Sequence, residues 1–524
     1  MTSVDDTVTT SRMPRDLVDR LLAAASVRAN APTMTITTPF DGQPLYELPL
    51  ADERDVEAAV ASLRLGQQSW ARRPLVDRTR IMLRFHDLVL ARRDEGLDIV
   101  QLETGKARRD AMEELLDVCL NARHYARDAR RLLSPRRHRG GLPLLIGVTQ
   151  VQHPKGVVGV LSPWNYPLAL AASDAIPALI AGNAVIIKPD VQTTLTALWV
   201  VGLMVEAGVP ASVVRVVPGD GPVVGPMIID RVDYVMFTGS TRVGREVASR
   251  CGERLIGCSL ELGGKNAMIV RADAAVDKAA DIAARACFAN SGQLCISMER
   301  LYVHEDVYDA FVAAFVKRVG AMTMQAGIGW GADMGSLISA RQLERVQSHV
   351  DDAVAHGASV LAGGRARPDV GPFYFEPTVL DDVTDDMILC DQETFGPVVA
   401  LYPVSSDEEA IRRANHSTYG LNAAVITRDH AAGRAMAFRI KAGTVNINEG
   451  YGSSWASTRS PMGGMGDSGL GRRHGDEGLL KYTESQTIAT QRLLGFGAQL
   501  GLNDRQWLGT LASALTIMKR LGLK

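Results

Sequence analysis

Residues 288–297 read FANSGQLCIS, a small polar approach ending in one thiol, Cys295. The chain has six cysteines, and two of them, Cys119 and Cys287, lie in apolar runs where a cysteine serves as a small hydrophobe. Cys295 instead follows Asn290, Ser291, Gly292 and Gln293, the partly open polar setting that a nucleophilic thiolate needs. A thiolate that attacks a carbonyl also needs an oxyanion donor and a base, and three further stretches hold such groups or a ribose ligand. In LSPWNYP (161–167) prolines bracket Trp164 and Asn165; a rigid amide there can donate to a developing oxyanion, or simply hold a turn. In LELGGKN (260–266) Glu261 stands in an apolar run, where desolvation raises a carboxyl toward general-base range unless a core salt bridge claims it. In QETFGPV (392–398) Glu393 precedes an aromatic-glycine-proline turn and can bind a ribose diol or cap the turn. FTGSTRVG (237–244) adds a glycine turn between strand and helix; it lacks GxGxxG, yet N–H groups at a helix start suit a phosphate.

The elements that must position these groups alternate. AVIIKPD, SVVRVVPGD, DYVMFTG and CSLELGGKNAMIV read as buried strands, and TALWVVGLMVEAG and STRVGREVASRC as helices between them. That repetition predicts a parallel, doubly wound sheet. A second α/β set begins near 270 and runs to GTVNINEG. Ahead of both, residues 53–71 and 76–103 carry helical apolar spacing, the latter stopped at Gly105. The segment 453–475 reads as glycine-rich loop and ESQTIATQR as a last strand.

With 524 residues the chain predicts more than one domain. A net charge of −2 gives no footprint for nucleic acid, and the basic run 127–140 reads as a solvated helix end and loop. Six cysteines without CxxC predict no disulfide framework and a reducing, cytoplasmic setting. No histidine spacing suggests a metal site, and no run is long and apolar enough to span a membrane. The amphipathic segment 504–523 packs on the body or on a neighbouring subunit, or rests on a membrane surface through Trp507, Lys519 and Arg520.

Taken in order, PWNYP, Lys188-Pro189, FTGSTRVG, LELGGKN, GQLC, ETFGPV and the late glycine-rich loop resemble the aldehyde dehydrogenase superfamily from about residue 31 to 492. Glu261 lies 34 residues before Cys295 and Glu393 lies 98 after it, both family-like separations. The resemblance implies an NAD(P)-dependent oxidation of an aldehyde to an acid. Cys295 attacks, Asn165 and the Cys295 N–H hold the oxyanion, and Glu261 activates water to hydrolyse the thioester. It further implies a cofactor path along Trp164, Asn165, Lys188, Pro189, Asp190, Val191, Gly239, Ser240, Leu262, Glu393 and Phe395. Lys188 would meet the adenosine ribose, Gly239 and Ser240 the pyrophosphate, and Glu393 the nicotinamide ribose. The implied organisation is a tail at 1–30; a cofactor domain at 31–141, 161–268 and 457–476; a catalytic domain at 269–456; an oligomerisation flap at 142–160 and 477–500; and a tail at 501–524. The flap implies a homodimer or homotetramer.

Two departures bear on specificity. Val191 stands where many NAD-preferring relatives carry a ribose-gripping glutamate, which leans the cofactor to NADP, although Asp190 opposes this if it faces the ribose. The sequence resembles the second type of mycobacterial succinate-semialdehyde dehydrogenase-like proteins, which makes succinate semialdehyde the candidate substrate. Yet Ser173 and Ala289 occupy the positions of the usual carboxylate-binding arginines, and Met462 replaces the usual loop aromatic. Arg300 or Arg459 could substitute. An apolar or aromatic aldehyde near a membrane is the alternative, and a non-catalytic structural relative the remote one.

Overall fold

The computed structural model describes residues 13–139, 146–492, 494–495 and 497–522. The expectations for residues 1–12, and for the start of the flap at 142–145, lie outside them. Runs such as Val157–Leu161 and Ala184–Lys188 are buried along their whole length, as strands with helices on both faces must be. The first sheet has six strands in the order Gly469–Leu470, Gly257–Glu261, Tyr234–Thr238, Val157–Leu161, Ala184–Lys188, Val214–Val216. All pair in parallel except Gly469–Leu470, which runs antiparallel to Gly257–Glu261. The chain enters at Val157–Leu161, builds outward to Val214–Val216, then returns to the other side. The order therefore reverses beside Val157–Leu161, and a crevice opens beyond the carboxyl ends of the strands there.

The second sheet has seven strands: Ser359–Ala362, Thr378–Asp381, Val398–Val404, Met298–His304, Asn266–Val270, Asn422–Ile426 and Thr444–Ile447. Only Ser359–Ala362 at its edge is antiparallel. The two sheets make the expected doubly wound α/β architecture. A three-stranded antiparallel sheet joins Thr483–Gln491, Ile146–Pro154 and Arg136–Arg139. Its last member falls in the basic run read as a helix end and loop.

Three local departures have plain causes. CSLELGGKNAMIV reads as one strand because both halves are apolar, but Gly257–Glu261 and Asn266–Val270 lie in different sheets, and Leu262–Lys265 carries the chain between them. The boundaries drawn at 160/161 and 268/269 each fall inside a strand, since sheet membership changes in the loop and not in the apolar run. Residues 76–103 form two helices, Leu75–Ala91 and Arg93–Thr104, broken at Arg92 (φ −108°, ψ 24°), which apolar spacing alone does not register.

The C-terminal helix Asp504–Arg520 is started by an Asn503 cap and buries one side chain, Trp507, whose indole N–H donates to the Gly495 carbonyl at 3.1 Å. Leu508, Leu515 and Ile517 are exposed. Among the described residues, no helix is long and apolar enough to cross a membrane.

One of the contacts that hold the helix following Asn165 comes from a buried indole. Trp70, fully buried on the helix Glu53–Arg72, donates from Nε1 to the Leu179 carbonyl of the helix Pro167–Ala181 at 2.9 Å. Trp70→Ala is expected to cost about 3–5 kcal/mol, read as a lower thermal midpoint; an unchanged midpoint would show that the two helices do not depend on it.

Candidate active site

A cleft of about 1010 Å³ lies at the strand-order reversal and runs across to the second sheet. Trp164 and Asn165 follow the strand Val157–Leu161, Lys188, Asp190 and Val191 follow Ala184–Lys188, and Gly239 and Ser240 follow Tyr234–Thr238. Glu261, Leu262, Cys295, Glu393 and Phe395 also line the cleft, so that all the candidate residues except Pro189 meet there.

Cys295 is half-buried, and its loop is held in an uncommon backbone shape. Asn290 (φ 51°) and Ser291 (φ 56°) adopt left-handed conformations, a strain that persists only where the surroundings over-determine it. Here they do. Asn290 Nδ2 donates to the Gln293 and Asn165 carbonyls (3.1 and 2.9 Å), and Ser291 Oγ to the Gly335 carbonyl at 2.8 Å. Gln293 Oε1 accepts from the Ile338 N–H at 3.0 Å. Gly292 (φ 69°) is obligatory, because a Cβ would come within 2.0 Å of the Gly396 carbonyl oxygen.

Asn165 is buried and donates one amide N–H to the Gln293 carbonyl at 3.1 Å, which aims the side chain at the thiol's loop. Its own carbonyl accepts from Lys106 Nζ at 2.6 Å. Lys106 is fully buried, paired with Glu114, and lies 4.0 Å over the Tyr166 ring. Glu114 accepts in turn from the N–H groups of Leu168 and Ala169. The sequence read Glu103–Lys106 only as a helix stop; a lysine just past a glycine stop carries no pattern that marks it as buried.

Three of the titratable groups that line the cleft are Cys295, Glu261 and Glu393. Burial pushes the Cys295 thiol up to about 12, and the Glu393 and Glu261 carboxyls add to the shift. Burial pushes Glu261 up to about 7 against the pull of Arg473 and Lys481. Its Oε1 has no hydrogen-bond partner among the described residues, so the core salt bridge weighed above is not made. Burial and the neighbouring Glu299 push Glu393 up to about 8, while it accepts from the Gly264 N–H at 2.9 Å. Glu299 fixes the next two residues, accepting from the Thr394 and Phe395 N–H groups and pairing with Lys265 at 2.5 Å. Phe395, at φ 55°, meets the Trp164 ring edge-on at 5.6 Å.

At the far end, burial lowers the Lys188 ammonium, and Asp190 and Asp220 counter the shift. One Asp190 oxygen is occupied in capping the Gln192 N–H at 3.0 Å. Ser240 caps the helix Thr241–Glu253, accepting from the Val243 N–H, and Ser240, Arg242 and Val243 of its first turn line the cleft. A dinucleotide fits this cleft: it is long, ends at a helix start, and a Cβ on Gly263 would strike Glu393 at 2.3 Å. The sequence reading missed Phe237, Gln342 and Arg345, which also line it.

A model of the aldehyde dehydrogenase family matches residues 27–488. The chain belongs to this family. It is 53% identical over 482 residues to a Mycolicibacterium smegmatis protein named "Putative succinate-semialdehyde dehydrogenase (NADP+)", covering 92% of this chain and 93% of that one. A Mycobacterium tuberculosis relative, named with the same activity and the number 2, is 49% identical over 510 residues, covering 97% and 98%. The NAD+ complex of an aldehyde dehydrogenase from Bacillus cereus superposes with a TM-score of 0.86 at 33% identity, covering 92% of this chain and all of that one. This aldehyde dehydrogenase is thus an oxidoreductase acting on aldehydes with a nicotinamide cofactor. Nothing in these relatives supports the expectation of an apolar aldehyde at a membrane.

The resting thiol is protonated at neutral pH. Alkylation of Cys295 by iodoacetamide, followed by mass spectrometry of its peptide, is expected to climb throughout the range from pH 7 to 10. In Glu261→Gln it should run faster at each pH, up to about tenfold for each unit the thiol pKa falls; a rate independent of pH would contradict the buried environment described.

Proposed function

We propose that this enzyme oxidises succinate semialdehyde to succinate with NADP+, through a thiohemiacetal and a thioester on Cys295. The meeting of Cys295, Glu261 and Asn165 in one cleft at the carboxyl ends of the sheet carries the reading. The Cys295 thiol first loses its proton to solvent; Sγ then bonds to the aldehyde carbon as the C=O π bond breaks, and the carbonyl oxygen becomes an alkoxide facing the Asn165 amide and the Cys295 N–H. A bound nicotinamide supplies the hydride acceptor. Loss of hydride leaves a thioester on Sγ. Water gives its proton to Glu261 and adds to the thioester carbon; the C–S bond breaks, acid departs, and the thiolate returns. Trp164 and Phe395 would flank the nicotinamide end of a bound cofactor, and Glu393 would hold its ribose. Gly239, Ser240 and Leu262 would lie along the pyrophosphate, and Lys188, Asp190 and Val191 around the adenosine ribose, with Pro189 behind them off the cleft wall.

The names of the relatives support the substrate and NADP. Val191 presents no carboxylate to a 2′-phosphate, and Asp190 is partly engaged in its cap. One observation favours a second reading, an aldehyde without a far carboxylate. Ser173 Oγ is spent on Asp117 at 2.5 Å, and Ala289 is fully buried. Arg300 is buried and donates to backbone carbonyls of Lys265 and Ala414, while Arg459 is exposed beside Asp128. Arg285, one helical turn before Ala289, is paired with Asp110 and Glu113.

A homodimer or homotetramer fits the strand Thr483–Gln491, which is exposed along nearly its whole length and pairs along one edge only among the described residues. Six free cysteines suit a reducing, cytoplasmic setting.

The deciding experiment supplies succinate semialdehyde or hexanal, each with NAD+ or NADP+, and follows reduced-nicotinamide absorbance. Succinate semialdehyde with NADP+ is expected to give the highest kcat/KM, and Cys295→Ala to lose on the order of 10³-fold or more. Higher kcat/KM for hexanal would reject the substrate. Val191→Glu should move preference from NADP+ toward NAD+ by about tenfold or more, because a like charge set against the 2′-phosphate repels it; an unmoved ratio would place the 2′-phosphate elsewhere.

A further inference from the structure

Glu261 must be deprotonated to accept a proton from water, yet it is buried with an unpartnered oxygen. The groups facing it come from four elements. Arg472 and Arg473 belong to the glycine-rich loop, Lys481 follows the helix Gly475–Leu480, Asp174 lies on the helix Pro167–Ala181, and Cys295 stands on the catalytic loop. The three cations are placed differently. Arg472 Nη1 donates to the Gly464 and Gly471 carbonyls (3.0 and 2.7 Å). Lys481 Nζ reaches Asp174 Oδ1 at 3.3 Å and Met236 Sδ at 3.5 Å, farther back along the strand Tyr234–Thr238.

Arg473 alone is locked at the level of the carboxylate. Its Nε and Nη2 donate to Asp174 Oδ2 (3.1 and 2.7 Å), and Nη2 also donates to Thr238 Oγ1 at 2.7 Å. Thr238 is the register partner of Glu261 on the adjacent strand. Backbone bonds between Arg473 and Met462 (2.6 and 2.8 Å) hold the loop beneath it. Asp174 is itself a settled anion: burial alone would raise it, but Arg473 and Lys481 bring it below the usual carboxylate range.

We propose that Arg473, fixed by Asp174 and Thr238, is the positioning residue of the hydrolytic half-reaction, holding the Glu261 carboxylate ready to take the proton of the attacking water. Among the charges facing Glu261, Arg473 has the largest lowering effect on it. Asp174 keeps the guanidinium charged and in place, so the pair biases Glu261 without quenching it in a direct salt bridge. The proposal rests on Glu261 being the base named above.

The test is stopped-flow turnover of the full-length enzyme with NADP+ and succinate semialdehyde, or hexanal if only that is oxidised. In Arg473→Gln the first equivalent of reduced nicotinamide should form at near wild-type rate, and hydrolysis should then slow. The pH midpoint of the steady-state rate should rise by about 1–3 units, the range for removing a neighbouring opposite charge from a carboxylate. Arg473→Lys should bring the midpoint most of the way back, which a merely structural role would not. Thr238→Val, which deletes only the hydroxyl, should shift it in the same direction by less. An unmoved midpoint in Arg473→Gln overturns the proposal, as does equal loss of the burst and the steady state with no rescue by lysine. If Arg473→Gln does not fold, an unmoved midpoint in Thr238→Val overturns it. Glu261→Gln separates the two claims. Wild-type hydrolysis in that variant would remove Glu261 as the base, whereas an Arg473→Gln effect that persists in the Glu261→Gln background would show that Arg473 does not act through it.

Discussion

The burial of Cys295, Glu261 and Glu393 in one cleft is the constraint that the rest of the structure answers. Desolvation disfavours the charged form of each, and they stand at about 12, 7 and 8. The surrounding residues do not neutralise them directly. They are held instead by buried ion pairs one layer back: Lys106 with Glu114 behind Asn165, Lys265 with Glu299 behind Thr394 and Phe395, and Arg473 with Asp174 beside Glu261. Glu114 and Glu299 accept from backbone N–H groups, and Lys106 donates to a backbone carbonyl, whereas Arg473 and Asp174 bond to the side chains of Thr238, Lys481 and Tyr482. Breaking one by removing a single partner strands a buried charge. The reactive groups thus keep mobile protons while their positions stay rigid.

The pairs also bridge elements far apart in sequence. Lys106 comes from the loop after the helix Arg93–Thr104, Glu299 from a strand of the second sheet, and Arg473 from the glycine-rich loop. The cleft therefore belongs to neither sheet. Asn165, Lys188 and Glu261 come from the ends of the first, and Cys295 and Glu393 from loops of the second. Leu262–Lys265 is the short span that joins them, and Lys265 on it already belongs to one of the pairs.

That these candidate residues could meet was legible in the sequence because they sit at breaks in pattern. Cys295 follows a polar tetrad, Glu261 interrupts an apolar strand, and Asn165 stands between prolines, so each is visible locally. The parallel sheets were legible from alternating apolar runs and glycine-stopped helices. The supporting pairs were not. Lys106, Glu114, Asp174 and Arg473 look like surface charges on helices and loops, and only tertiary packing reveals that they are buried or nearly so. The change of sheet inside CSLELGGKNAMIV was hidden for a related reason, since two buried strands joined by a glycine pair carry one continuous apolar signature. The break at Arg92 was missed because apolar spacing resumes in phase after it.

The edge strand Gly469–Leu470 has an implication for how the enzyme is made. It closes the sheet against Glu261, about 200 residues earlier in the chain, and the loop that contains it also delivers Arg473. Contacts of such long sequence separation form late in folding. A nascent chain that has emerged only as far as the second sheet already displays Cys295, but its Glu261 still borders an open sheet edge and lacks the guanidinium beside it. Full competence to release product would then arrive last during biosynthesis, after the thiol is in place, and a chain truncated before the glycine-rich loop would keep Cys295 and Glu261 but lack the guanidinium beside the carboxyl.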